Sequence, residues 1–127
     1  MSKAEDKFSV LTAEVLGTMM TQWGFERMDT QAGTVRYAND SVTVDLRYGP
    51  PEFHVELLLR TRGSGGSKAY TLADLIRKDC IANWMQENRL RVGSEDSMEA
   101  EIRWYQRFLS ECCEGAMRGE RKFFGGL

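Results

Sequence analysis

The spacing of apolar residues switches from helical to alternating early in this chain, and that switch restricts the fold more than any other feature. From residue 6 to residue 23 the apolar side chains recur at steps of three and four: Phe8, Leu11, Val15, Met19 and Trp23, widened by Leu16 and Met20. That is one face of an amphipathic helix. Gly24 follows the last of them, where a left-handed cap closes many helices. Beyond it the period falls to two. Val35 and Tyr37 alternate with Thr34 and Arg36, Val42, Val44, Leu46 and Tyr48 with Thr43, Asp45 and Arg47, and Phe53, Val55, Leu57 and Leu59 with His54, Glu56, Leu58 and Arg60. Strands with one dry and one wet face read this way. Asn39-Asp40 is a tight-turn signal, and Gly49-Pro50-Pro51 ends the second strand because proline has no N–H to donate. Three strands with short connections form an antiparallel meander, and the N-terminal helix must lie on its apolar face.

The second half returns to helical spacing. Arg62-Gly63-Ser64-Gly65-Gly66-Ser67-Lys68 is polar and glycine-rich, as surface loops are. Thr71-Leu72-Ala73-Asp74 has the spacing of a capping box, with Asp in the place of the usual Glu, and Leu72, Leu75, Ile76 and Cys80 give the following helix an inner face. Residues 83–93 fit a continuation of that helix or a short strand. Ser94-Glu95-Asp96-Ser97 combines capping side chains with acids suited to a helix dipole. It predicts a last helix over about 96–114, with Met98, Ile102, Tyr105, Leu109 and Cys112 on one face, Trp104 and Phe108 beside them, and Gly115 at its end. Phe123, Phe124 and Leu127 are expected to pack back on the body. The chain thus reads as a single α+β domain over residues 1–127: an N-terminal helix, a three-stranded antiparallel meander, and two or more C-terminal helices packed on one sheet face.

A chain of 127 residues with 42% hydrophobic and 28% charged side chains can bury one core without disulfides or metals. Its formal net charge of −2 gives no general surplus for neutralising phosphates, which disfavours nucleic acid as a partner. The opening residues Met1-Ser2-Lys3-Ala4-Glu5-Asp6-Lys7 lack the apolar stretch of a signal peptide. No run approaches the roughly 20 apolar residues that span a bilayer, so a cytoplasmic location without membrane contact is expected.

Catalytic patterns are thin. The three cysteines Cys80, Cys112 and Cys113 are odd in number, and neighbours in a helix diverge by roughly 100°, so Cys112 and Cys113 are badly placed to bridge. Two thiols at a helix–core boundary is the simpler reading. One histidine and three cysteines do not supply the usual ligand pattern of a zinc site, and no cofactor is expected. The Gly63–Lys68 loop lies between a strand and a helix, but Ser67 precedes Lys68 and Ala69 follows it, which breaks the phosphate-loop spacing. His54, the single histidine, falls on the outward face of the third strand with Glu56, and Asp45 lies on the same face. A His–acid pair there could transfer protons, although such neighbours are common on solvated strands. Arg60, Arg62 and Lys68 form one basic cluster and Arg118, Arg121 and Lys122 another, beside Phe123 and Phe124; a basic–aromatic mixture can hold RNA by stacking. The outward strand residues Arg36, Asp45, Arg47, His54, Glu56 and Arg60 make a mixed-charge set suited to a partner of complementary charge.

The segment Ala69-Tyr70-Thr71-Leu72-Ala73-Asp74-Leu75-Ile76 resembles the Tyr-Ser-Leu-x-Asp-Leu segment of a broad group of small bacterial proteins. Trp23-Gly24-Phe25 before a meander, and a closing segment like Met117-Arg118-Gly119-Glu120-Arg121-Lys122-Phe123-Phe124, extend the resemblance over nearly the whole chain. Several members of that group resemble immunity proteins, non-catalytic partners that block a toxin made by the same cell. The resemblance implies a binding module rather than an enzyme and carries over no site residues. Type III secretion chaperones, which are small acidic α+β dimers that hold an effector, share the helix–meander opening. An extra strand pair near 83–93 would mark that alternative.

Overall fold

The computed structural model describes residues 3–49, 54–62, 68–89, 97–125 and 127. Helix α1 (Lys3–Gln22) buries Phe8, Thr12, Val15, Leu16 and Met20, which share one face at helical spacing. Thr12 is admitted to that face because its hydroxyl donates to the Phe8 carbonyl one turn back at 2.7 Å. The helix ends where glycine allows it to end. Gly24 adopts φ 77°, its N–H donates to the Thr21 carbonyl, and the Phe25 N–H reaches back to the Met20 carbonyl at 2.9 Å. This is the Schellman arrangement, and it turns Phe25 into the core.

Five strands follow in a sheet of order β1-β2-β3-β4-β5, each antiparallel to its neighbours: β1 (Glu26–Met28), β2 (Thr34–Ala38), β3 (Val42–Arg47), β4 (Glu56–Thr61) and β5 (Ala69–Thr71). The expected meander is β2-β3-β4, extended by one three-residue strand at each edge. The β2–β3 turn forms where Asn39-Asp40 predicts it, with the Asn39 side-chain oxygen accepting the N–H groups of Ser41 and Val42 at 2.9 and 2.8 Å. Pairing brings Val35, Leu46 and Leu57 into one row of the inner face and Tyr37, Val44, Leu59 and Tyr70 into the next, all buried. Pro50, Pro51 and Phe53 lie outside the described residues, as do residues 63–67 of the glycine-rich loop.

Thr71 ends β5 and caps α2 (Leu72–Leu75). Its hydroxyl accepts the Asp74 N–H while the Asp74 carboxylate accepts the Thr71 N–H, completing the capping box. The helix stops after one turn, and α3 (Asp79–Glu87) starts after a bend. Residues 83–87 are therefore helical, while 90–93 lie outside the described residues. Helix α4 (Met98–Cys112) buries Met98, Ile102, Tyr105 and Leu109 against the sheet and α1, and the Gln106 amide donates to the Val15 carbonyl at 2.9 Å. Ser97 precedes it, but its hydroxyl donates to Glu101 at 2.6 Å and forms no side-chain cap bond. The helix ends at Cys113 rather than Gly115, which lies inside the short α5 (Glu114–Met117). Trp84 of α3 packs edge-on against Trp104 and Phe108 of α4, with ring centroids 5.4 and 5.7 Å apart. Such pairs contribute about 1 kcal/mol each beyond area burial. The tail returns to the body as expected: a 3-10 turn (Arg121–Phe124) buries Phe123 and stacks Phe124 on Tyr70 at 4.8 Å. Among the described residues no helix is long and apolar enough to cross a membrane.

Candidate functional site

The buried rows of the inner sheet face share the core with residues of α1 and α4, and the outer face carries the charged strand residues. Strand register orders that face into rows. Thr34, Arg47 and Glu56 form one; Met28, Arg36, Asp45, Leu58 and Thr71 form the next; Glu26, Ala38, Thr43, Arg60 and Ala69 form the third. Facing residues in a row have Cβ atoms about 5 Å apart, so the opposite charges Arg36 and Asp45, and Arg47 and Glu56, each 9 residues apart in the chain, become direct neighbours.

Asp45 is the centre of this grid. Alternation places it on a wet face, yet it is only 3% exposed. Arg36 covers it from β2 with two parallel bonds, Nε to Oδ1 at 2.7 Å and Nη2 to Oδ2 at 2.9 Å, and Leu58 flanks it from β4. A bidentate pair of this kind fixes both planes. The hydrogen bonds to Asp45 also raise the Arg36 pKa further above its ordinary value. Both carboxylate oxygens of Asp45 are thus engaged, and its role is to orient Arg36.

The remaining charges sit around that pair. Arg47 is exposed and faces Glu56 across β3–β4. His54 comes just before β4, half-buried, with Nε2 at 3.4 Å from Glu56 Oε1. Two shallow clefts meet at Thr34 and Arg47: one of about 460 Å³ includes Asp29, Gln31, Arg36 and Asp45, and one of about 320 Å³ includes Glu5, His54 and Glu56. The structure therefore gathers Arg36, Asp45, Arg47, His54 and Glu56 at one end of the outer face. Arg60 shares the face but stands two rows from Glu56 and lines neither cleft. Asp29 and Gln31, in the β1–β2 connection, join the site with no periodicity to announce them. Their position follows from β1 pairing with β2.

The two basic clusters also meet. Arg62, Lys68 and Arg121 line a cleft of about 380 Å³ together with Asp40 and Glu120. Arg62 donates to the Asn39 carbonyl at 2.7 Å and Lys68 to the Leu127 carbonyl at 3.2 Å, while Arg118 pairs with Glu114 at 2.6 Å. Of these, Arg118 is neutralised by an acid, while the carbonyls that hold Arg62 and Lys68 fix their position and leave their charge in place. Among the described residues no group of three or more His, Cys, Asp or Glu side chains is placed to hold a metal ion. No family model, curated protein or solved structure matches the chain.

Proposed function

We propose that this chain is a protein-binding module of the immunity type, which neutralises a bacterial toxin by laying the outer sheet face over the toxin's active site or substrate groove. One observation carries the reading: a buried Asp45 fixes Arg36 on the outer sheet face, and Arg47, Glu56 and His54 line the adjoining cleft, so charges of both signs share one end of that face. A preorganised array of both signs loses little side-chain freedom on binding and selects a partner by charge pattern. The mechanism is steric and needs no proton transfer or cofactor. Exposed Met28, on the same face and 44% accessible, supplies an apolar contact at its margin.

The test is a paired capture. The tagged chain and an Arg47→Glu/Glu56→Arg variant are each used to recover proteins from the source cells at moderate salt, and the recovered protein is then expressed with and without the chain. The reading expects one stoichiometric partner, lost from the variant, whose growth inhibition is relieved by the native chain. A partner retained equally by the variant removes the sheet face from the reading. A partner whose expression harms no cell removes the immunity role, and a set of secreted effectors marks a chaperone instead.

A further inference from the structure

All three cysteines of the chain come to the same end of the α3–α4 pair, although Cys80 is more than thirty residues from the others. The side-chain contacts between these helices show how. The Trp104 indole N–H donates to the Asn88 carbonyl at 2.6 Å. One turn earlier in α3, Trp84 meets Phe108, one turn later in α4, and donates to Glu111 at 3.2 Å. The helices therefore run antiparallel, with rungs at Asn88–Trp104 and Trp84–Phe108. One more turn in each direction, four residues along each helix, reaches Cys80 and Cys112. The two thiols are also close enough for the charge of one to act on the other.

We propose that Cys80 and Cys112 are a dithiol that oxidises to an intramolecular disulfide joining α3 to α4. Cys80 is exposed and Cys112 half-buried, whereas Cys113 has no solvent exposure and keeps its thiol. A disulfide needs its Cα atoms within about 7 Å. Cys80 lies in the exposed first turn of α3, where the Ile81 and Ala82 N–H groups donate to the Lys78 carbonyl at 3.0 Å, so the bridge closes with that turn in place. The oxidant is a low-molecular-weight disulfide such as glutathione disulfide. The Cys80 thiolate attacks one of its sulfurs, the S–S bond breaks, and one thiolate leaves and takes up a proton. Cys112 then loses its proton to solvent and attacks Cys80 Sγ, expelling the second thiol. Two protein thiols and one small disulfide become one protein disulfide and two small thiols. The product clamps α3, which otherwise rests on the Trp84 cluster and Ile81, to the longest C-terminal helix.

The full chain is incubated with glutathione disulfide, its remaining thiols are alkylated in denaturant, and the digest is sequenced by mass spectrometry. The expected product is a monomer lighter by two hydrogens, with Cys80 joined to Cys112 and Cys113 alkylated. Cys80→Ser and Cys112→Ser each abolish it, and Cys113→Ser keeps it. Fragmentation of the native peptide assigns the link directly, so the result stands even if Cys113→Ser fails to fold. A link to Cys113, a disulfide between two chains, or three alkylated thiols under conditions that oxidise a control dithiol peptide each overturn the proposal.

Discussion

The carboxyl group of Glu101, which has no solvent exposure, accepts the backbone N–H of Val55 at 2.9 Å across the interface between α4 and the start of β4. Its other oxygen accepts the Ser97 hydroxyl at 2.6 Å. One turn along α4, the Tyr105 hydroxyl donates to the carbonyl of the same Val55 at 3.2 Å. Two side chains of one helix thus satisfy both polar groups of a residue that lies just outside the ladder of β4. Burial, with the charges of Glu101 and Glu56 adding to it, raises the Tyr105 pKa well above the ordinary tyrosine range, so its hydroxyl keeps the donated proton.

Replacing Glu101 tests that clamp. Glu101→Ala leaves the Val55 N–H buried without an acceptor and opens a small cavity, and it should cost about 3 kcal/mol in urea unfolding. Glu101→Gln keeps the volume and one acceptor oxygen, and about half that loss is expected. Equal losses for the two variants would show that volume, not the hydrogen bond, is what matters at this position.

The Arg36–Asp45 pair should respond asymmetrically. Asp45 has a side chain only 5% exposed, while that of Arg36 is 40% exposed. Arg36→Ala strands a buried carboxylate and should cost about 2 kcal/mol, after discount for the solvent that reaches Arg36. Asp45→Asn leaves a guanidinium still in contact with water and should cost about 1 kcal/mol. The double variant should cost less than the sum, because neither charge is then left alone. Additive losses in a double-mutant cycle would show that the two side chains do not act as a pair.

The capping box makes part of the stability acid-sensitive. The Thr71 backbone N–H holds the Asp74 pKa below its ordinary value. A carboxylate whose folded pKa is lowered contributes stability that is present above the unfolded pKa and lost as pH falls through the folded one. Urea midpoints should therefore drop between pH ~5 and pH ~2, and the drop should shrink in Asp74→Asn. An identical acid profile in the variant would remove Asp74 from the account.

The thiols should react in order of exposure. Cys80 is exposed and reacts first with a disulfide reagent at neutral pH. Burial, helped by the charges of Cys80 and Glu111, pushes the Cys112 thiol up to about 11, so Cys112 follows slowly. Cys113 reacts only on unfolding. Because the folded pKa of Cys112 is raised, its contribution to stability is complete below the unfolded value and fades as pH rises through about 11. Prompt labelling of Cys113 in native protein would contradict this packing.

Much of the architecture was legible in residue spacing. The α1 stripe, the β2-β3-β4 alternation, Gly24, the Asn39 turn and the Thr71–Asp74 box each rest on local chemistry, which short-range patterns record; the apolar tail residues signalled burial but not their partner Tyr70. The edge strands β1 and β5 were not legible. Three residues are too few to show a period, and Glu26–Met28 and Ala69–Thr71 become strands only because β2 and β4 offer free ladders beside them. Glu101 did leave a signal, a lone acid three residues after Met98 and four before Tyr105, within the apolar face of α4.

Alternation alone placed Arg36, Asp45, Arg47, Glu56 and Arg60 on one sheet face, because a strand has only two sides; His54, expected there too, instead lies just before β4. Which of them are neighbours was a matter for the tertiary structure. Register put Arg36 over Asp45 and Arg47 beside Glu56, left Arg60 two rows away, and buried a carboxylate on the side facing water. In the same way the sequence ruled the adjacent Cys112 and Cys113 out as a bridge by helix geometry, while only the antiparallel packing of α3 on α4 brought Cys80 to that end. Periodicity is a property of one segment, but contact depends on how two segments are offset, and that offset is set by the packing of the whole core.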